Sequence, residues 1–110
     1  MPEPIFDTQT MRSAAARATA LLKAMANADR LLLLCQLSEN EHCVSELEDL
    51  VGVGQPTLSQ QLGVLRDEGL VATRREGKQI YYRIASPEAL AVIQTLYAHF
   101  CQPTVAQSDE

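Results

Sequence analysis

Residues 44–69, VSELEDLVGVGQPTLSQQLGVLRDEG, hold two short runs of helical periodicity divided by a break rich in glycine, and this pairing constrains the fold more than any other feature. The first run ends at Gly52, a residue that adopts the left-handed conformation of a helix C-terminus without a Cβ penalty. A tight Gly52-Val53-Gly54 turn follows. The second helix is expected to open with Gln55 as its cap and Pro56 at its first position, where a missing N–H costs nothing, and to end at Gly69. Leu58, Leu62 and Leu65 recur at the spacing of a buried stripe. Gln55, Thr57, Ser59, Gln60 and Gln61 then occupy the polar N-terminal half of that helix.

The flanking segments complete a recognisable order. MRSAAARATALLKAMA, residues 11–26, is free of Gly and Pro and predicts a helix with Leu21, Leu22 and Met25 on its apolar side. Asn27 is placed to cap a second helix, ADRLLLLCQL, whose leucine content predicts burial on nearly all sides. SENEHC reads as a polar loop. After the helix pair, LVATRREGKQIYYRIA forms two β-rich runs around Glu76-Gly77-Lys78, a hairpin in which Gly77 supplies the positive φ of the turn. SPEALAVIQTLYAHFCQP opens with a Ser86 cap, Pro87 and Glu88, and carries Leu90, Ile93, Leu96, Tyr97 and Phe100 at helical spacing. Residues 1–10 and 103–110 are expected to be frayed. The layout is that of a winged helix-turn-helix: one mainly α domain over residues 1–110, with about five helices and a two-stranded wing.

In such a module the second helix of the pair enters the major groove, where amide and hydroxyl side chains suit base edges and phosphates alike. The net charge of −5 argues against general affinity for nucleic acid, so its distribution matters. Between residues 55 and 83, Arg66, Arg74, Arg75, Lys78 and Arg83 face three acidic residues, a net of +2 that leaves −7 elsewhere. Positive charge is gathered on the reading helix and the wing, which makes Arg66, Arg74, Arg75 and Lys78 candidate DNA contacts.

The chain contains no apolar run approaching the ~20 residues of a membrane span and no secretory signal pattern, so a soluble cytoplasmic protein is expected. Three cysteines, Cys35, Cys43 and Cys101, are too few and odd in number for a disulfide scaffold. Enzymatic signatures are lacking: there is no CxxC pair, no Ser-His-Asp order and no Gly-rich phosphate loop. No cofactor is implied, and the function class is regulatory rather than catalytic.

The segments LLKAMANADRLLLLCQL, GQPTLSQQLGVLRDEGLV, TRREGKQIYYRI and LYAHFC together resemble the ArsR/SmtB family of dimeric winged-helix repressors. Within it, the cysteines in LLLLCQL and HFC resemble the BigR, SqrR and HlyU branch, which responds to reactive sulfur or oxidants. The resemblance implies homodimerisation through the first and last helices and repression at a double-stranded operator of inverted-repeat form. It also implies that the helices bearing Cys35 and Cys101 pack together, although 66 positions separate these residues. The pair then reads as a dithiol switch, in which one thiolate attacks an oxidant or persulfide and the other resolves the product to a disulfide or polysulfide bridge. Two separate core thiols are the plainer alternative.

The family's metal sites serve as a comparison. Where its arsenic- and cadmium-type site carries two cysteines, this chain has Glu41-His42-Cys43-Val44-Ser45, with Ser45 replacing the second thiolate. The zinc-type set on the last helix is reduced to His99. Cys43 is therefore read as a structural cap. A metal- or metalloid-sensing repressor using Cys43 with His42, or Cys35 with Cys101, remains the alternative, beside a winged-helix interaction module that does not bind DNA.

Overall fold

Asp7 opens the first helix of the computed structural model, which describes residues 7–101. Its carboxylate accepts the Thr10 N–H at 2.7 Å, satisfying one of the orphan donors of the first turn, and α1 runs Thr8–Met25. The helix thus starts three residues before the apolar pattern suggests, and residues 8–10, expected to fray, are helical. The first turn is polar throughout, so periodicity could not locate it. The expected fraying of residues 103–110 lies outside the described residues, as do residues 1–6.

Asn27 caps α2 (Ala28–Leu37) as expected, its Oδ1 accepting the Arg30 N–H at 3.0 Å. Next come β1 (His42–Cys43), α3 (Val44–Val51), α4 (Thr57–Asp67), β2 (Val71–Glu76), β3 (Gln79–Ile84) and α5 (Pro87–Phe100). The core is leucine built: Leu33 and Leu34 of α2, Leu47 of α3 and Leu58, Leu62 and Leu65 of α4 interlock, and Ile93 of α5 closes the cluster. Leu32 departs from the expected all-round burial. It is 45% exposed, because α2 packs its other faces on α3, α4 and α5 and no described element covers this one.

Part of the expected SENEHC loop is a strand. β1 pairs antiparallel with β3, His42 opposite Tyr82 and Cys43 opposite Tyr81, giving a sheet of order β1-β3-β2. Two residues carry no periodicity; the unpaired edge of β3 recruits them by offering backbone hydrogen bonds. The wing itself follows the sequence: β2 and β3 pair from Val71–Ile84 to Glu76–Gln79 around a two-residue turn, with Gly77 at φ +62°. Its root is buried at Val71 and its tip is exposed.

Ser86 Oγ accepts the Ala89 N–H at 3.0 Å and starts α5. Ala89 and Ile93 in its first half are buried; near its end Phe100 is 81% exposed. Most of α1 is exposed too, Leu22 and Met11 included, with Ala24 and Met25 buried at its end. The two long helices therefore display apolar faces that no other described residue covers. No helix among the described residues is long and apolar enough to cross a membrane.

Candidate nucleic-acid interface and thiol pair

The reading helix α4 begins one turn position later than expected. Pro56, not Gln55, is its N-cap, with a helical φ of −89°, and Gln55 stands outside the helix. Gln55 nevertheless acts as a cap at longer reach: its Oε1 accepts the Ser59 N–H at 3.2 Å and the Ser59 hydroxyl at 2.6 Å. An amide on two methylenes, one more than Asp has, reaches from one residue further back than Ser or Asp could. This interaction holds the Gln55 side chain at the exposed start of the helix, where Ser59 and Gln60 are exposed too. Thr57 is half-buried and Arg66 is exposed in the last turn, where a cation suits the helix C-terminus.

Gln61 is differently employed. Its Oε1 accepts from Arg30 Nη1 at 2.7 Å, while Arg30 Nε donates to the Ala24 carbonyl at 2.5 Å and Nη2 to that of Lys23 at 3.3 Å. One guanidinium thus ties the last turn of α1, the first turn of α2 and the middle of α4 together. Arg30 answers carbonyls left without helical partners, and Gln61 is committed to the body of the protein. Sequence reasoning missed Arg30, which sits 31 residues from Gln61 with no local signal joining them.

The wing cations divide likewise. Arg74 Nε donates to Glu41 Oε1 at 2.7 Å, and the guanidinium makes further close ion pairs with Glu41 and Glu76. Its Cζ lies 4.8 Å from the centre of the Tyr81 ring. The hydrogen bond from Arg74 holds the Glu41 carboxyl below its ordinary range, and the two carboxylates raise Arg74 in return. Arg75 and Lys78 are exposed, and neither belongs to an ion pair among the described residues. Arg83, at the root of β3, is likewise exposed and outside any ion pair among the described residues.

Cys35 and Cys101 are both free thiols, the first half-buried on α2 and the second exposed immediately after α5. The two helices pack on each other. Burial pushes the Cys35 thiol up, with a further rise from the charge of a Cys101 thiolate. Cys35 also lines an open cavity of about 580 Å³ with Gln36, Asn40, His42 and Tyr97. Cys43 is apart from them, 4% exposed at the N-cap of α3, where its N–H donates to Glu46 Oε1 at 3.1 Å. That hydrogen bond holds Glu46 below its ordinary range, with a smaller effect from His42, whose Nδ1 lies 3.2 Å from the same oxygen. No three His, Cys, Asp or Glu side chains among the described residues are grouped as a metal ion would require.

This arrangement of helix pair and wing finds its match among known regulators. Residues 27–73 match the family model described as bacterial regulatory protein, arsR family. The biofilm growth-associated repressor of Agrobacterium fabrum is 52% identical over 93 residues, 84% of this chain and 80% of that protein. The chain belongs to the arsR family. Its structure superposes on that of the transcriptional repressor BigR from Xylella fastidiosa with a TM-score of 0.80 and 46% identity, covering 89% of this chain and 100% of that one. Reduced HlyU from Vibrio cholerae gives 0.82 and 45%, covering 86% and 99%. The matched family segment spans α2 to the start of β2 and so includes Cys35, the reading helix and Arg30, while the wing tip and α5 with Cys101 lie beyond it.

Proposed function

We propose that this arsR-family regulator is a homodimeric, DNA-binding transcriptional repressor that leaves its operator when Cys35 and Cys101 are bridged by reactive sulfur or an oxidant. The observation that carries the reading is that the packed helices α2 and α5 each bear a free thiol, the second at the end of a helix whose outer face no described element covers.

DNA binding is supported by the exposed face of Gln55, Ser59 and Gln60 together with Arg75 and Lys78 on the wing. Dimerisation is supported by the uncovered apolar faces of α1 and α5. In a twofold dimer two copies of α4 must lie about 34 Å apart to enter successive major grooves of an inverted repeat. Cys101 is the exposed thiol and Cys35 is held protonated by burial, so Cys101 attacks first. Its thiolate takes the outer sulfur of a persulfide RSSH, releasing RS⁻, which leaves as the thiol RSH, and forming a Cys101 persulfide. The Cys35 thiolate then attacks Cys101 Sγ, closing the disulfide and expelling hydrosulfide, which takes up the proton Cys35 gave up. Drawing the end of α5 onto α2 changes the seam between protomers and with it the spacing of the reading helices. A coupling of ~1–3 kcal/mol changes affinity by about five- to 150-fold, enough for derepression.

The test is operator binding before and after exposure to a persulfide donor. Cys35→Ser and Cys101→Ser should bind the operator when reduced and fail to release it after treatment, whereas Cys43→Ser should still release. Peptide maps of treated protein should join residues 35 and 101 within one chain. Release by both single variants would refute the dithiol reading, and a stable 12.1 kDa monomer by light scattering at micromolar concentration would refute the dimer.

A further inference from the structure

We infer that Arg74 is a positioning residue that staples the wing to the body of the protein through Glu41, and that this staple couples the loop around the Cys35 cavity to the DNA-facing hairpin. The register makes the case. Arg74 stands opposite Tyr81 on β3, and Tyr81 stands opposite Cys43 on β1. To reach Glu41, which lies two residues before Cys43, the Arg74 side chain must cross the whole of β3. It does so over the face of the Tyr81 ring, with Cζ 4.8 Å from the ring centre. The outer strand of the wing is thereby joined to the chain entering β1 by a charged contact, two guanidinium nitrogens donating to one Glu41 oxygen, that bypasses the backbone ladder. Glu76, nearer the wing tip, takes another arm of the same guanidinium.

The other end of the staple is the part of the chain most exposed to thiol chemistry. Glu41 lies between Asn40 and His42, and both of these line the cavity that holds Cys35, as do Ser38 and Glu39. Ser38 Oγ donates to the Cys35 carbonyl at 2.7 Å, so the loop is fastened to the cysteine's own peptide unit. A displacement of Cys35 toward Cys101 therefore pulls on a four-residue loop, 38–41, whose last residue grips the wing. Arg75 and Lys78, which carry the free positive charge, ride on the strand and turn that Arg74 holds. A role for Arg74 in binding phosphate directly would require it to abandon two carboxylates, and it would then be Glu41 that opposes DNA binding.

The two roles predict opposite results. Glu41→Gln, Arg74→Gln and the double variant, at one half-buried and one exposed position, are measured by fluorescence anisotropy on operator duplex across a salt series, with the protein reduced. Positioning predicts that each single variant weakens operator binding by roughly three- to tenfold, that the salt slope is unchanged, and that the double variant is no weaker than either single one. Tighter binding by Glu41→Gln, a flattened slope in Arg74→Gln, or losses that multiply would overturn it. The coupling, which rests on the proposed thiol switch, is read by repeating the series after treatment with sodium tetrasulfide. The ratio of reduced to treated affinity should shrink in both variants relative to wild type. An undiminished ratio overturns the coupling alone. If wild type itself does not release, the coupling falls together with the switch, and the reduced-state cycle still decides the staple.

Discussion

Replacing Gln61 by alanine should destabilise the protein and leave its reading of DNA intact, although Gln61 stands on the reading helix. The side chain accepts one hydrogen bond from the Arg30 guanidinium at 2.7 Å in a half-buried setting. Hydrogen bonds to charged groups contribute about 1.5–3 kcal/mol, and partial exposure together with the ability of the freed N–H to meet water brings this to about 1 kcal/mol. Arg30→Met keeps the aliphatic stem but also loses the bonds to the Ala24 and Lys23 carbonyls, for about 2–3 kcal/mol in all. With a urea slope of about 1–1.5 kcal/mol/M for a chain of this size, Gln61→Ala should lower the unfolding midpoint by about 0.7–1 M and Arg30→Met by about twice that or more. Both are measured at one fixed protein concentration, since dimerisation would otherwise shift the midpoint. Gln60→Ala is the contrast: it should leave the midpoint in place and cost about 1–3 kcal/mol of discrimination at one base pair. If Gln61→Ala unfolds at the wild-type midpoint and loses base discrimination, the assignment of Gln61 to the bracket is wrong.

Three further outcomes follow from the site. Arg75→Ala and Lys78→Ala should each reduce the salt slope of DNA binding by about one and weaken binding on all sequences, as free phosphate-facing cations do; an unchanged slope would move the DNA surface elsewhere. Limiting iodoacetamide on the reduced native protein should label Cys101 first, Cys35 more slowly because its thiol is raised by burial, and Cys43 last; Cys35 labelling ahead of Cys101 would reverse the order of attack. Glu41 and Glu46 are both lowered in the folded protein, so their contribution to stability is complete above the ordinary carboxylate range and is lost as pH falls through their depressed values. Thermal midpoints should therefore decline more steeply on acidification in wild type than in Glu41→Gln, and parallel curves would contradict this.

What could be read from sequence alone was local. The α3–α4 pair, the hairpin and the α5 cap announce themselves through periodicity, glycines and Ser86 within a few residues of chain. The parts that organise the site are relations between distant residues. Arg74 finds Glu41 across 33 positions, and Arg30 finds Gln61 across 31, so no window of sequence contains either bond. Gln61 and Arg74 were listable as DNA-facing by residue type, and only the fold shows the Gln61 side-chain carbonyl oxygen and the Arg74 guanidinium engaged by other residues of the chain. The Pro56 cap misled for a related reason: Gln55 does supply a capping oxygen, but the length of its side chain lets it do so from outside the helix. Cys35 and Cys101 could be paired only through resemblance to a family whose second and last helices pack.

The uncovered faces of α1 and α5 carry a consequence for dosage. If two copies must combine before either can span successive grooves, operator occupancy at low expression rises with the square of the number of chains rather than in proportion to it. Halving synthesis then removes about three-quarters of the assembled repressor in the dilute limit, since dimer concentration follows mass action. A cell could relieve repression by dilution during growth as well as by sulfur chemistry, and the two routes would act on the same seam between protomers.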